Sequence, residues 1–452
     1  MRQHQGPKLF RFVLFNDSWG LQEGTESEKV IYYDIWDQQP RSSTDFGVST
    51  SDSNLLNQIN PSSPSTVTFD PSDQTFGQVL KDVGFAEAMI KFVTNFGEDE
   101  QLSSVHGCRV RLVMEQIEPH FWICCTLLVP KTITAALNDN QPEENHQHLI
   151  EYHEDELNDH YVRLLISQIH ETFCLFNGSL QDLWRSCDHR LNLLRSQCSR
   201  FFQWFLATIQ LFSINLLHLW GGMSYLPIDN LVFLEAQCFV QQTLAVHSQC
   251  RNAFFLYNDQ LVFSSLSLKA TAQLYRYLIS ILLPEVTSEE MSETFRSRDS
   301  ARTRFVRAIQ MVHLPHEEPA LNLLSDKSGR DREAKKHCSK YDRQLMAVYR
   351  SNNGGTVVLL LEPDTGDDSS WVCSDQTIKS NKDYSKDETL QHVLERLHTY
   401  MASRLPDLVS KMAENSIRLM VSLDSNLNCG PNSSTSSLLG GSAAQESSND
   451  QL

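Results

Sequence analysis

One order of strands and helices runs through this 452-residue chain twice. KLFRFVLF (8–15) and KVIYYDIW (29–36) are rich in β-branched and aromatic residues and read as strands. The polar, glycine-containing NDSWGLQEGTESE joins them as a hairpin loop. A helix from about Val79 to Phe96 follows, then strands CRVRLVMEQ (108–116) and HFWICCTLLV (120–129), an acidic loop and a helix from roughly Asp155 to Phe176. Residues 181–249 look helical, broken by GGMSYLPID (221–229). The order then returns. NAFFLYNDQLVFSSL (252–266) is a hairpin whose turn sits at Asn258–Asp259, residue types that tolerate tight-turn geometry. TAQLYRYLISILL (271–283) is a helix ended by Pro284, and TRFVRAIQMVHL (303–314) is a short apolar piece between polar loops. QLMAVYR (344–350) and GTVVLLLE (355–362) are strands, and the last helix spans about Thr389 to Ala413. Two strands, a helix, more strands and a helix imply an α+β unit with a mostly antiparallel sheet, present twice without obvious internal identity. SIRLMVSL (416–423) reads as one further strand.

Two stretches stand outside this order. Residues 37–77 are dominated by Ser, Asp, Asn, Gln, Thr and Pro, and the chain closes on a Ser/Asn/Gly tail. Neither can bury enough apolar surface to offset its ordering entropy, so both are expected to be disordered. FFQWFLATIQLFSINLLHLW (201–220) has the length and neutrality of a membrane span. Its large side chains Phe201, Phe205, Ile209, Phe212, Leu216 and Leu219 nevertheless fall on one helical face, while Gln203, Gln210, Asn215 and His218 gather on the other. A bilayer penalises that polar face, so the expectation is an amphipathic helix lying across a domain. The N-terminal MRQHQGPKLFRFVLF lacks a long uncharged h-region. Eleven cysteines without a repeating interval, among them the adjacent Cys124–Cys125, suit reduced thiols in a cytosolic protein.

Charge and motifs exclude more than they select. Acidic residues outnumber basic ones 56 to 38, for a formal charge of −18, against the basic footprint that nucleic acid requires. There is no P-loop, no G-x-G-x-x-G and no G-x-S-x-G. His153-Glu154 and His170-Glu171 begin like zincin motifs, but each lacks the second histidine. In NHQHLIEYHEDELNDH, His146, His148, His153 and His160 stand among carboxylates. Nothing in that spacing fixes a coordination geometry, and acidic residues ahead of a helix suit its dipole. The reading is a solvated helix entry, with no metal and no cofactor expected. The sequons at Asn177 and Asn432 have no use in a cytosolic chain. A chain of repeated sheet-and-helix units without a catalytic constellation is expected to work through its surfaces.

The helix from Val79 carries two apolar stripes: Val79, Val83, Ala86, Ile90 and Val93, and then Phe85, Met89, Phe92 and Phe96. Together they cover about half its circumference, more than one sheet face requires. Either the second stripe packs on another part of this chain, or it meets a partner protein.

FFLYNDQLVFSSL (254–266), GGMSYLPID (221–229) and LFNGSL (175–180) resemble signature stretches of the CCZ vacuolar-fusion family. So do FVLFNDSWGLQEGTESEKVIYYD and, after the insertion, VGFAEAMIKFVTNF. The match is specific in order and spacing over residues 8 to about 283. It implies tandem longin domains, each a five-stranded antiparallel sheet between helices: a first over 8–180 with an insertion at 37–77, a helical connector over 181–250, and a second over 251–415. Residues 416–452 would be the remnant strand of a truncated third longin domain plus a tail. The implied role is a subunit that pairs with a Mon subunit to form a guanine nucleotide exchange factor for the late-endosomal Rab GTPase (Rab seven). A third regulatory subunit and peripheral recruitment from the cytoplasm to late endosomal or lysosomal membranes also follow from the resemblance. On this chain the exchange surface would fall on residues 8–178, with Phe85, Met89, Phe92 and Phe96 as the candidate contact for partner or Rab. The alternative is a longin-type adaptor or tether without exchange activity. Neither role involves covalent catalysis.

Overall fold

The computed structural model describes residues 2–35, 74–96, 103–135, 148–208, 220–284, 304–315, 341–351, 353–362 and 388–428. Strands β1 (Arg2–Gln5), β2 (Lys8–Asn16) and β3 (Val30–Ile35) are followed by helix α1 (Gln74–Thr94). Next come β4 (Ser104–His106), β5 (Val110–Glu118), β6 (Phe121–Leu128), β7 (Lys131–Ala135) and β8 (His148–Tyr152). Helices α2 (Asp159–Asn177), α3 (Leu180–Ser186), α4 (Leu191–Thr208) and α5 (Asn230–Val246) lead to the second unit. That unit contains β9 (Cys250–Tyr257), β10 (Gln260–Ser264), α6 (Leu268–Tyr277), β11 (Arg304–Pro315), β12 (Tyr341–Arg350), β13 (Gly355–Leu361) and α7 (Glu388–Asn428).

The repeat inferred from element order is a repeat of topology. The first five-stranded sheet runs β3-β2-β6-β5-β4 and the second β10-β9-β13-β12-β11, all antiparallel. Counted within each unit, both orders are 2-1-5-4-3, with a helix after the second strand.

Period-two alternation decides which side chains face which layer. In β2, Val13 and Phe15 turn to α1, where Phe76, Val79, Val83 and Ala86 complete a small core with Met114, Trp122 and Cys124. Phe12 and Leu14 turn the other way, into a large core with Ile166 and Phe173 of α2 and Phe202 of α4. The same core takes Phe254 and Leu256 of β9, Met346 and Val348 of β12, and Val358 and Leu360 of β13. Helix α2 packs on β5 of one sheet and β11 of the other, with α6 beside it. The outer face of the second sheet, through Ala253, Phe255, Tyr349 and Leu359, is closed by α5 and α7. The layers are therefore α1, first sheet, shared helices, second sheet, then α5 with α7.

Several expectations change. SIRLMVSL is not a strand: its residues continue α7, so no remnant strand of a third unit stands there. Nothing between Asp407 and Leu423 breaks a helix, Glu414 and Arg418 pair at 3.7 Å one turn apart, and the buried Asn415 anchors to Asp229, the N-cap of α5. Helix propensity there outweighs the short apolar alternation. The start of α1 at Gln74 takes the last residues of the 37–77 insertion into the fold, and Phe76 is fully buried. The apolar piece at 303–314 is the edge strand β11, paired with β12 on both sides of an irregularity between Val306 and Gln310. The acidic loop contains β8, which joins β1 and β7 in a three-stranded sheet with no signal in the sequence strong enough to read. Of FFQWFLATIQLFSINLLHLW, residues 201–208 are helical with Phe201 and Phe205 buried; 209–219, with Ile209, Phe212, Leu216 and Leu219, lie outside the described residues. No described helix is long and apolar enough to cross a membrane.

Candidate functional site

Helix α1 is fixed to its sheet along one side. Val79, Val83 and Ala86 are buried, and two ion pairs tie the helix down: Arg11 with Asp82, and Lys29, 2.5 Å from Glu87, while Lys91 of the helix itself shares Glu87 at 2.5 Å. Burial alone would raise the Glu87 pKa, but the two ammonium groups outweigh it and hold the carboxyl below its ordinary value. With the helix so anchored, the second stripe points outward. Phe85, Phe92 and Phe96 are 50%, 57% and 73% exposed, and Met89 is half-buried. The Phe92 and Phe96 rings meet edge-on with centroids 4.8 Å apart. Spacings of four and three place Phe85, Met89 and Phe92 on one face of α1. The helix ends at Thr94, short of the expected Phe96, which lies in the turn that follows and joins the face through its ring contact with Phe92. Among the described residues no other part of the chain packs over that face, so the intramolecular reading of the stripe finds no support there.

A second concentration of polar groups lies where the two units meet. Glu118 ends β5. Its Oε1 accepts from Leu180 N–H (2.8 Å) and its Oε2 from Gln181 N–H (3.1 Å), satisfying the free donors at the start of α3. The same Oε1 lies 3.0 Å from His170 Nε2, which in turn lies 3.3 Å from Cys174 Sγ one helical turn on. Burial opposes a charge on His170, yet Cys174 and Glu118 outweigh it and raise the imidazole pKa to about 10. Tyr341 of β12 brings its hydroxyl to Cys174 from the second unit, and burial, then the cysteine, push the phenol up. Close by, Arg276 of α6 reaches Glu171 at 2.5 Å as an ionic contact without hydrogen-bond alignment, and Gln273 donates to the Glu171 carbonyl.

The family-like stretches prove to be corners of the backbone. LFNGSL turns α2 into α3: Gly178 has φ +74° and Ser179 Oγ caps α3 by accepting from Asp182 N–H at 3.0 Å. NAFFLYNDQLVFSSL turns through Asn258 and Asp259 at φ +44° and +64°. GGMSYLPID lies along the edge of β10, where Leu261 N–H donates to the Ser224 carbonyl (2.7 Å) and Leu226 N–H to the Leu261 carbonyl (3.0 Å). That segment covers an otherwise open sheet edge.

The histidine run does not assemble as a unit. His146 is outside the described residues, as is the side chain of His148, and His160 sits in the first turn of α2 with its N–H on Asn158 Oδ1 at 2.8 Å. His153 instead lies beside Thr132 (2.7 Å) and near His4, which is 3.3 Å from Glu156. Sequence reasoning noticed His170 only as a failed zincin start; its actual neighbour Glu118 is 52 residues away, beyond any local motif.

Residues 69–178 match the family model described as the first longin domain of INTU, CCZ1 and HPS4, and residues 251–406 match Intu longin-like domain 2. The chain is 28% identical over 287 residues to the vacuolar fusion protein CCZ1 homolog of Nematostella vectensis, covering 64% of this chain and 53% of that one. The Xenopus tropicalis homolog is 26% identical over 286 residues (63% and 51%), and that of Dictyostelium discoideum 25% over 289 (62% and 54%). This is a tandem longin chain related to the CCZ1 vacuolar fusion proteins. It spans about half the length of the curated relatives it matches. Strands β2 and β3 precede the first matched stretch and complete the first longin sheet. The outward phenylalanine face therefore belongs to the first longin domain, and the polar seam joins the first to the second.

Proposed function

We propose that this chain is one subunit of a heteromeric guanine nucleotide exchange factor of the Mon–Ccz type, acting on the late-endosomal Rab GTPase (Rab seven) in endosome maturation and in fusion of endosomes and autophagosomes with lysosomes. The observation that carries the reading is the face of Phe85, Met89 and Phe92 on α1, extended by Phe96 in the turn after it, an apolar surface presented by the first longin domain. Apolar patches rimmed by ion-paired charge are surfaces for protein contact. The likeness to proteins named for vacuolar fusion supports a role in that process.

An exchange factor works by differential affinity. It binds the nucleotide-free GTPase more tightly than the loaded one, and by linkage nucleotide weakens the exchange factor equally. A protein surface must hold the switch segments where they no longer shield nucleotide and metal ion. In this reading a Mon subunit and the first longin domain build that surface together, a third regulatory subunit joins the pair, and the complex reaches the membrane from the cytoplasm as a peripheral assembly.

The test is release of a fluorescent GDP analogue from the late-endosomal Rab, with this chain co-purified with its Mon partner. Each subunit alone and an early-endosomal Rab serve as controls. Acceleration by the pair alone is expected. A stable pair that binds the Rab without accelerating release would replace this reading with an adaptor or tether.

A further inference from the structure

We propose that Glu118, His170 and Cys174 form a binding site for one divalent transition-metal ion of the zinc type, set in the seam between the two longin domains. The inference does not depend on exchange activity.

Three donors of different chemistry converge from two elements. His170 and Cys174 are one turn apart on α2, and Glu118 ends the neighbouring strand β5. The ligand atoms all lie within 4.8 Å of one another, with His170 Nε2 3.0 Å from Glu118 Oε1 and 3.3 Å from Cys174 Sγ. For zinc with ordinary bond lengths and tetrahedral angles, donor atoms stand about 3.3–3.6 Å apart. The two contacts of His170 would therefore widen by only a few tenths of an ångström to admit the ion, with the carboxylate and the sulfur already within 4.8 Å of each other. A set of one thiolate, one imidazole and one carboxylate suits zinc better than the oxygen-seeking magnesium or calcium.

The surroundings resemble the support that metal ligands need. The Glu118 carboxylate is oriented by the Leu180 and Gln181 N–H groups, so its position does not depend on the ion. Tyr341, from the second longin domain, brings a hydroxyl to the Cys174 sulfur. It either completes the coordination or orients the thiolate. Cys174 is 1% exposed, and the side chains of Glu118 and His170 are 10% and 15% exposed. A bound ion would exchange slowly and would fasten a strand and helix of the first domain at the point where the second domain packs. The other grouping of such side chains among the described residues, His4, His153 and Glu156, is open to solvent and has no sulfur.

The experiment is elemental analysis of the full chain, made without a histidine tag in zinc-replete medium and freed of loose metal. About one equivalent of zinc is expected, lost in Cys174→Ser and kept in Cys125→Ser, whose thiol is buried elsewhere. In case Cys174→Ser fails to fold, cobalt exchanged into the wild-type chain supplies the second readout. A thiolate-to-cobalt absorption band in the near ultraviolet is expected, together with a melting temperature lowered by chelator and restored by zinc. A wild-type chain with no stoichiometric metal, no cobalt–thiolate band and a melting temperature indifferent to chelator and zinc overturns the proposal. So does zinc retained by a folded Cys174→Ser chain.

Discussion

The ring of His313, on the edge strand of the second longin domain, lies against Gly178, the residue that ends α2 of the first. A Cβ built on Gly178 would stand 3.6 Å from His313 Cδ2, an ordinary contact, so space is not what requires glycine. The backbone is. Gly178 has φ +74° and ψ −166°, a region that only glycine enters without strain. Gly178→Ala is expected to destabilise the chain by about 1–3 kcal/mol. Denaturant unfolding measures it, and an unchanged midpoint would show that the corner relaxes into an α2–α3 turn that other residues tolerate.

His313 itself makes the seam sensitive to acid. Burial, then the nearby Arg343, pushes its pKa down from 6.5 to about 4, against the pull of the Leu175 and Phe176 carbonyls and Asp182. Among the described residues its Nδ1 has no hydrogen-bond partner. The folded state thus keeps the ring neutral where the unfolded chain would protonate it. The contribution is present above about pH 6.5 and is lost as pH falls towards 4, at up to about 1.4 kcal/mol per pH unit. Unfolding measured from pH 7 to 4.5 is expected to show that slope, and His313→Gln, which cannot titrate, to flatten it. Equal slopes in both chains would assign the acid sensitivity to other groups.

These seam residues show where sequence reading stops. The two α+β units were legible because Phe12/Leu14 against Val13/Phe15, and Phe254/Leu256 against Ala253/Phe255, alternate cleanly and belong to different cores. The outward stripe on α1 was legible for the same reason: helical spacing assigns faces, though not what covers them. Glu118, His170, Cys174 and Tyr341 come from three elements as far apart as 223 residues, and no local period announces them. SIRLMVSL failed differently. Eight residues of mixed apolar pattern fit either a strand or the end of a helix, and helix propensity, with Asn415 anchored just before them, decides. Strands β1, β7 and β8 were too short and polar to stand out before their pairing was known.

Arg195 of α4 guards the edge of the first sheet. Its guanidinium donates to the Ser27 carbonyl at 2.6 Å and to the Val30 carbonyl at 2.9 and 3.0 Å, where β3 begins. Burial, which the Glu28 charge opposes, lowers the arginine pKa to about 10. A cation kept partly out of water is tolerated because those carbonyls hold it, and its loss would leave them uncompensated. Arg195→Met is expected to cost about 1.5–3 kcal/mol. Hydrogen exchange should localise the loosening to Val30–Ile35, whose outer edge would then be open to strand pairing with other chains. Protection unchanged in that strand would show that its neighbour β2 suffices to hold it.

The α1 face separates stability from assembly, and two substitutions on the same helix distinguish them. Phe92 is 57% exposed, whereas Val83, on the opposite side, is 3% exposed and packs into the core under the helix. A carboxylate at Val83 would be buried without a cation assigned to it, since Lys29 and Lys91 are engaged with Glu87 and Arg11 with Asp82. Val83→Asp is therefore expected to cost about 3 kcal/mol or more. Phe92→Asp removes no buried contact with the sheet, and its effect on unfolding is expected to stay within about 0.5 kcal/mol. If the face receives a partner, the same substitution weakens partner or Rab binding by roughly tenfold or more, about 1.4 kcal/mol, because a buried aromatic anchor is replaced by a charge. Met89→Asp, half-way round the face, is expected to show both effects in smaller measure. Affinity by calorimetry, set beside urea unfolding of each variant, reads the two quantities independently. Binding unchanged in a fully folded Phe92→Asp chain would move the contact surface of the first longin domain away from α1.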